Sequence, residues 1–127
     1  MPEHLSPAPL LKLMRSLRSV RRFAPTAIPD DVVAGILDVG RWTGSAKNTQ
    51  PWEVVVVDNR AHLAELSTLG LFAKHLANAP LAIVLVLAPG TSSLDAGRLA
   101  ERMMLAGWAY GVASCIGSIF PKENQDR

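Results

Sequence analysis

The sequence predicts an α+β domain. Three observations carry that expectation. Apolar residues recur at helical spacing near residues 10–19 and 28–40. Two short strand-like runs, Glu53–Val57 and Leu81–Leu87, are rich in β-branched residues. A third helical stretch, about 94–111, is apolar or small through its second half. The 127 residues suit one domain, and a 49% hydrophobic content suffices for a core.

Taken in order, Pro2, Pro7 and Pro9 predict an extended lead-in. Leu10, Leu13, Met14 and Leu17 fall at i, i+3, i+4 and i+7 and predict an amphipathic helix. Arg15, Arg18 and Arg22 share another of its faces, and the helix is expected to fail near Ser19 and Val20, where a cap-prone residue meets a β-branched one. Pro29, Asp30 and Asp31 open a second helix, because proline suits a first turn and carboxylates favour the positive end of a helix dipole. Val32, Val33, Ile36, Leu37 and Gly40 supply its apolar side.

Residues 43–52 form a polar loop without periodicity, and Asp58-Asn59 ends the strand that follows it. Residues 60–77 read as a looser helix. Neither strand alternates, which predicts strands covered on both faces. Ser92-Ser93-Leu94-Asp95 has the spacing of a capping box before the third long helix. The almost wholly apolar or small run Met103–Ala113 predicts burial on all sides, at a domain centre or a subunit interface. Val112–Ile119 reads as a short strand or turn.

Composition excludes several classes. The net charge of +2 is uneven: residues 1–22 carry five basic groups against Glu3, while the rest carries eight basic and ten acidic groups. The basic excess is therefore local, which predicts one anion site near the N-terminus and no broad nucleic-acid or membrane surface. The longest proline-free apolar stretch, Leu81–Ala88, is far below the ~20 residues needed to span a bilayer, and no signal-peptide core forms. The single cysteine, Cys115, allows no internal disulfide and suggests a reducing, cytoplasmic setting. His4, His62 and His75 lack metal-ligand spacing.

No phosphate loop, GxGxxG or nucleophile elbow is present. Three constellations remain. Arg18-Ser19-Val20-Arg21-Arg22 could clamp a phosphate through guanidiniums and a hydroxyl; the alternative is a solvated basic helix face. Gly44 to Trp52 offers small hydroxyl and amide groups on a loop anchored by a strand, against the alternative of a capping turn with Trp52 packed in the core. Gly111 to Ser118 is small enough for a backbone to approach a flat ligand, against the alternative of tight helix–strand packing with Cys115 as a buried thiol.

The order and content of these stretches resemble one family. Arg-Ser-Val-Arg-Arg-Phe at 18–23, Ile28-Pro29, Ser-Ala-Lys-Asn-Thr-Gln-Pro-Trp at 45–52 before a valine strand, Asp95, and Gly-Val-Ala-Ser-Cys-Ile-Gly at 111–117 are similar to the nitroreductase family of FMN-dependent oxidoreductases. The resemblance covers roughly residues 13–120, and the serine-to-tryptophan loop is its most specific part.

That resemblance implies a mixed sheet flanked by helices in an intertwined homodimer with two FMN sites. Arg18, Ser19 and Arg21 would hold the FMN phosphate, and Ser45, Ala46 and Asn48 would reach the flavin of the neighbouring subunit. Ile116, Gly117 and Ser118 would lie beside the isoalloxazine ring and offer backbone N–H groups. NAD(P)H would supply a hydride that passes through the flavin to a small-molecule acceptor such as a nitroaromatic or quinone, with no side chain acting as acid or base. This sequence departs from the family pattern at Leu17, where many relatives carry an arginine, and at Gly44, where a proline is common. A polar residue expected near the ring from the stretch around 68–74 has no clear counterpart. Relatives also continue past residue 127 with strands and an arm that wraps the partner, so a single domain lacking C-terminal elements is expected. The rival reading is a non-catalytic dimeric module with an incomplete flavin site. A nucleic-acid binder is disfavoured because no aromatic platform accompanies the arginines.

Overall fold

Ile36, Leu99, Met103 and Ala106 form the buried centre of the molecule, with Val32, Leu37, Val39, Trp52, Ile83 and Leu85 packed around them. The computed structural model describes residues 6–119. Its helices are α1 (Pro7–Ser16), α2 (Asp30–Arg41), α3 (Arg60–Leu66) and α4 (Ser93–Ala109); its strands are β1 (Trp52–Val57) and β2 (Ala82–Leu87). Short 3-10 turns cover Ala46–Asn48 and Lys74–Asn78. The α+β expectation holds: helices surround a small antiparallel sheet in which Trp52 pairs with Leu87 and Val57 with Ala82. Pro2 and the stretch from Pro121 to Arg127 lie outside the described residues.

The two long helices follow from their sequence. Asp30 and Asp31 sit in the first turn of α2, where the helix dipole favours them. Gly40 lets α2 approach α4 closely: a Cβ there would lie 3.0 Å from the Met103 side chain. At the start of α4, Ser92 accepts a hydrogen bond from the Leu94 N–H at 3.2 Å, a serine N-cap. At its end, Gly111 adopts a φ of +78°. The Gly111 N–H donates to the Trp108 carbonyl at 3.0 Å, and the Val112 N–H to the Gly107 carbonyl at 2.8 Å. This paired pattern is a Schellman motif, and it turns the chain back after α4.

Four expectations need correction. The region around Pro7 and Pro9 is not extended, because proline is tolerated in a first helical turn and α1 begins at Pro7 itself. That helix ends at Ser16, short of Ser19, with Leu17 already non-helical. Residues 60–77 hold one short helix, stopped by turns at Ser67 to Leu69, before the 3-10 turn at Lys74–Asn78. Neither strand is covered on both faces in a single chain. Val55 is 46% exposed and Val86 47%, because a two-stranded ribbon leaves a face open.

Candidate functional site

The first and third constellations meet. The Val20 N–H donates to the Ser114 carbonyl at 2.9 Å, and Ser19 and Ser114 form an isolated parallel bridge. The Schellman turn at Gly111 makes this pairing possible, since it turns the chain so that Ser114 reaches Ser19 and Val20. Arg18 folds against the end of α1, its Nη1 donating to the carbonyls of Arg15 at 2.8 Å and Leu17 at 2.7 Å. Those bonds satisfy carbonyls left open where α1 stops, and they hold the guanidinium in one place while its remaining N–H groups stay available. Ser19 and Arg21 are exposed on the same extended segment.

Beside this junction lies a cavity of about 550 Å³, within the range of small-molecule sites. Phe23, Leu76, Ile83, Met103 and Ile116 give it an apolar wall. Arg22, rather than Arg18 or Arg21, is the arginine that reaches it. Of the third constellation, Ile116 and Gly117 line the cavity and Ser118 does not. Gly117 lies against the imidazole of His75: a Cβ at Gly117 would lie 3.6 Å from His75 Nε2 and 3.4 Å from Leu76.

Two buried polar atoms on this cavity have no hydrogen-bond partner, His75 Nε2 and Ser114 Oγ. An unsatisfied buried polar group costs about 1–3 kcal/mol, so such atoms in a cavity wall point to an occupant that would bond them. Sequence reasoning set His75 aside for want of metal spacing. Its signal is tertiary, since only the Lys74–Asn78 turn brings it to Phe23, whose ring centroid is 6.5 Å away, and to Gly117. Cys115 is a free, partly buried thiol whose Sγ contacts only its neighbour's carbonyl among the described bonds.

Ser45, Ala46 and Asn48 stand elsewhere. The Ala46 N–H donates to Asp95 Oδ2 at 2.9 Å, which fixes the loop to the first turn of α4. The third constellation follows the other end of α4 at Ala109, fourteen residues on from Asp95, or roughly 21 Å at 1.5 Å per residue. The sheet agrees: the loop feeds Trp52 at one end of the ladder, whereas the His75 turn feeds Ala82 at the other. One chain therefore does not bring Ser45–Asn48 to the cavity. Lys47, Asn48 and Gln50 have φ values of 54°, 55° and 46°. Left-handed conformations at non-glycine residues cost on the order of 1 kcal/mol each and collect at functional loops. Among the described residues, no cluster of His, Cys, Asp or Glu could hold a metal, and no helix is long and apolar enough to cross a membrane.

Residues 14–82 match the model of the Nitroreductase family. The chain belongs to the nitroreductase family. Membership makes it an oxidoreductase of nitroreductase type. A relative from Archaeoglobus fulgidus, provisionally named as an NADH dehydrogenase/NAD(P)H nitroreductase, is 30% identical over 122 residues, covering 91% of this chain and 70% of its own length. A similarly named protein from Methanothermobacter thermautotrophicus is 25% identical over 122 residues, covering 91% of this chain and 64% of its own. Among solved structures, a provisional nitroreductase from Bacteroides thetaiotaomicron matches with a TM-score of 0.83 at 27% identity, over 92% of this chain and 71% of that one. A Bacteroides fragilis nitroreductase with bound FMN matches at 0.74 and 28% identity, over 84% of this chain and 67% of that one. The chain thus spans roughly two thirds of the length of these four relatives.

Proposed function

We propose that this nitroreductase is an FMN-dependent oxidoreductase that works as a homodimer, takes a hydride from NAD(P)H and delivers it to a small-molecule acceptor of the nitroaromatic or quinone kind. The observation that carries this reading is the junction at Ser19 and Ser114, which sets the arginine segment beside an apolar cavity holding two unpartnered buried polar atoms. The residues present fit FMN. His75 Nε2 and Ser114 Oγ lack partners, and Gly117 keeps open the space that a Cβ would fill beside His75. The Bacteroides fragilis relative, whose title states bound FMN, supports the choice of cofactor.

Arg18, Ser19 and Arg21 would hold the phosphate, because three donors on one short segment suit a dianion. Arg22 and His75 would meet the polar edge of the ring, and Ile116 and Gly117 would offer backbone N–H groups along it, with Ser118 just outside the cavity. The apolar wall would exclude water and so strengthen each of these polar contacts. Ser45, Ala46 and Asn48 would act on the flavin of a second copy, a role supported by their separation from the cavity within one chain. When bound, FMN would supply the hydride chemistry, which explains why the site needs no acid–base pair from the protein. No nucleic acid or membrane enters this reading, and the lone Cys115 suits a reducing cytoplasm.

The test is a visible absorption spectrum of the purified protein beside its mass in solution. Flavin absorbance that NAD(P)H bleaches under anaerobic conditions, in a dimer, is the expected result. A colourless protein that takes up no added FMN overturns the reading, and a flavin-free dimer without NAD(P)H oxidation identifies a non-catalytic module instead.

A further inference from the structure

Asp95 has the position of a capping-box residue but does not behave as one. In a capping box it would reach back to the N-terminus of its own helix. Instead its carboxylate, 5% exposed, leaves α4 and accepts the Ala46 N–H at 2.9 Å. The segment it holds is strained, with left-handed backbone at Lys47, Asn48 and Gln50. Most of the bonds within residues 44–50 are internal: Asn48 N–H to the Ser45 carbonyl at 3.0 Å, Thr49 N–H to the Ala46 carbonyl at 3.2 Å, and Gln50 N–H to Ser45 Oγ at 2.8 Å. Two described bonds reach that segment from outside it: the Trp52 N–H to the Gln50 carbonyl at 2.8 Å, from the adjoining strand, and the one to Asp95, which alone among them ties the loop to a helix.

Arg98 completes the arrangement. Its Nη1 lies 3.7 Å from Asp95 Oδ1, and its Nη2 stands where a Cβ on Gly44 would be only 3.1 Å away. The guanidinium is half exposed and lies beside the loop entrance, in a long ion pair with the buried carboxylate.

We propose that Asp95 is the positioning residue for Ser45–Asn48, fixing the Ala46 amide so that Ser45 and Asn48 are presented to the flavin of a second copy. The inference rests on the reading above that this segment touches flavin. A strained loop held by internal bonds alone samples other conformations, and its flavin contacts then carry an ordering cost. A charge-assisted bond from a rigid helix removes that cost before the ligand arrives.

The experiment is a double-mutant cycle on FMN affinity, read by quenching of flavin fluorescence in the purified protein. Asn48→Ala and Asp95→Ala are each expected to weaken FMN binding roughly 10-fold, and the double variant to be no more than about 3-fold worse than either, since residues acting through one contact are not additive. Asp95→Asn, which keeps an acceptor oxygen, is expected to restore binding to within about 3-fold of wild type. Weakening by Asn48→Ala with no effect of Asp95→Ala overturns the inference alone. Fully additive losses also overturn it, because Asp95 would then act on general stability. An unchanged affinity in Asn48→Ala overturns both the flavin contact and the inference built on it. If Asp95→Ala does not fold, hydrogen exchange at the Ala46 amide of the wild-type protein replaces it: protection comparable to that of the α4 amides supports the inference, and exchange at the rate of an unbonded loop amide overturns it.

Discussion

The backbone N–H of Val20 bonds the carbonyl of Ser114 at 2.9 Å, and this contact joins the arginine segment to the segment that follows α4. Everything proposed for the cavity depends on that junction. It places Arg22 and Phe23 on one side of the space and Ile116 and Gly117 on another.

Arg21→Ala should weaken FMN binding by about 1.5–3 kcal/mol, the scale of a hydrogen bond to a charged group. Titration with FMN measures this directly. An unchanged affinity would remove Arg21 from the phosphate site and leave Arg22, which lines the cavity, as the arginine that matters.

His75→Leu should separate stability from binding. Without flavin, the substitution removes a buried nitrogen that has no partner, so thermal stability should stay level or rise. With FMN present, affinity should fall, because the polar edge of the ring loses a partner. Equal losses in both measurements would show His75 to be a packing residue only.

Leu99→Ala tests the core. Leu99 is 0% exposed and lies where α4 meets α2, so the cavity it leaves should cost about 2–5 kcal/mol in denaturant unfolding. A loss below about 1 kcal/mol would mean that α2 and α4 can close the gap.

Gly111→Ala tests the turn that builds the junction. An alanine at a φ of +78° carries a penalty of roughly 1–2 kcal/mol. Because the turn also brings Ser114 to Ser19, FMN affinity should drop along with thermal stability. A variant with lower stability but wild-type FMN binding would show that the Val20–Ser114 pairing survives without the turn.

Much of this was legible in the chain itself. The apolar sides of α2 and α4, the acidic first turn of α2 and the Ser92 cap are local features, and local features are decided by spacing and propensity over a few residues. The three constellations could likewise be found by residue type, because phosphate and amide recognition need particular donors. Their family resemblance followed from their order along the chain.

Tertiary structure decided the rest. The absence of alternation suggests two strands enclosed on both faces, but whether a face is covered depends on which other elements arrive, and Val55 and Val86 remain open in a single chain. Pattern also pointed Asp95 at its own helix, whereas a backbone amide 49 residues earlier in the chain claimed it, since a buried carboxylate bonds the nearest unsatisfied donor in space. His75 looked inert in sequence and stands beside Gly117 in the fold. The sequence by itself determined which stretches carry phosphate- and amide-type donors. Only the packing of α4 against its neighbours decided which of them share one cavity, because the length of that helix holds Ser45–Asn48 away from the rest.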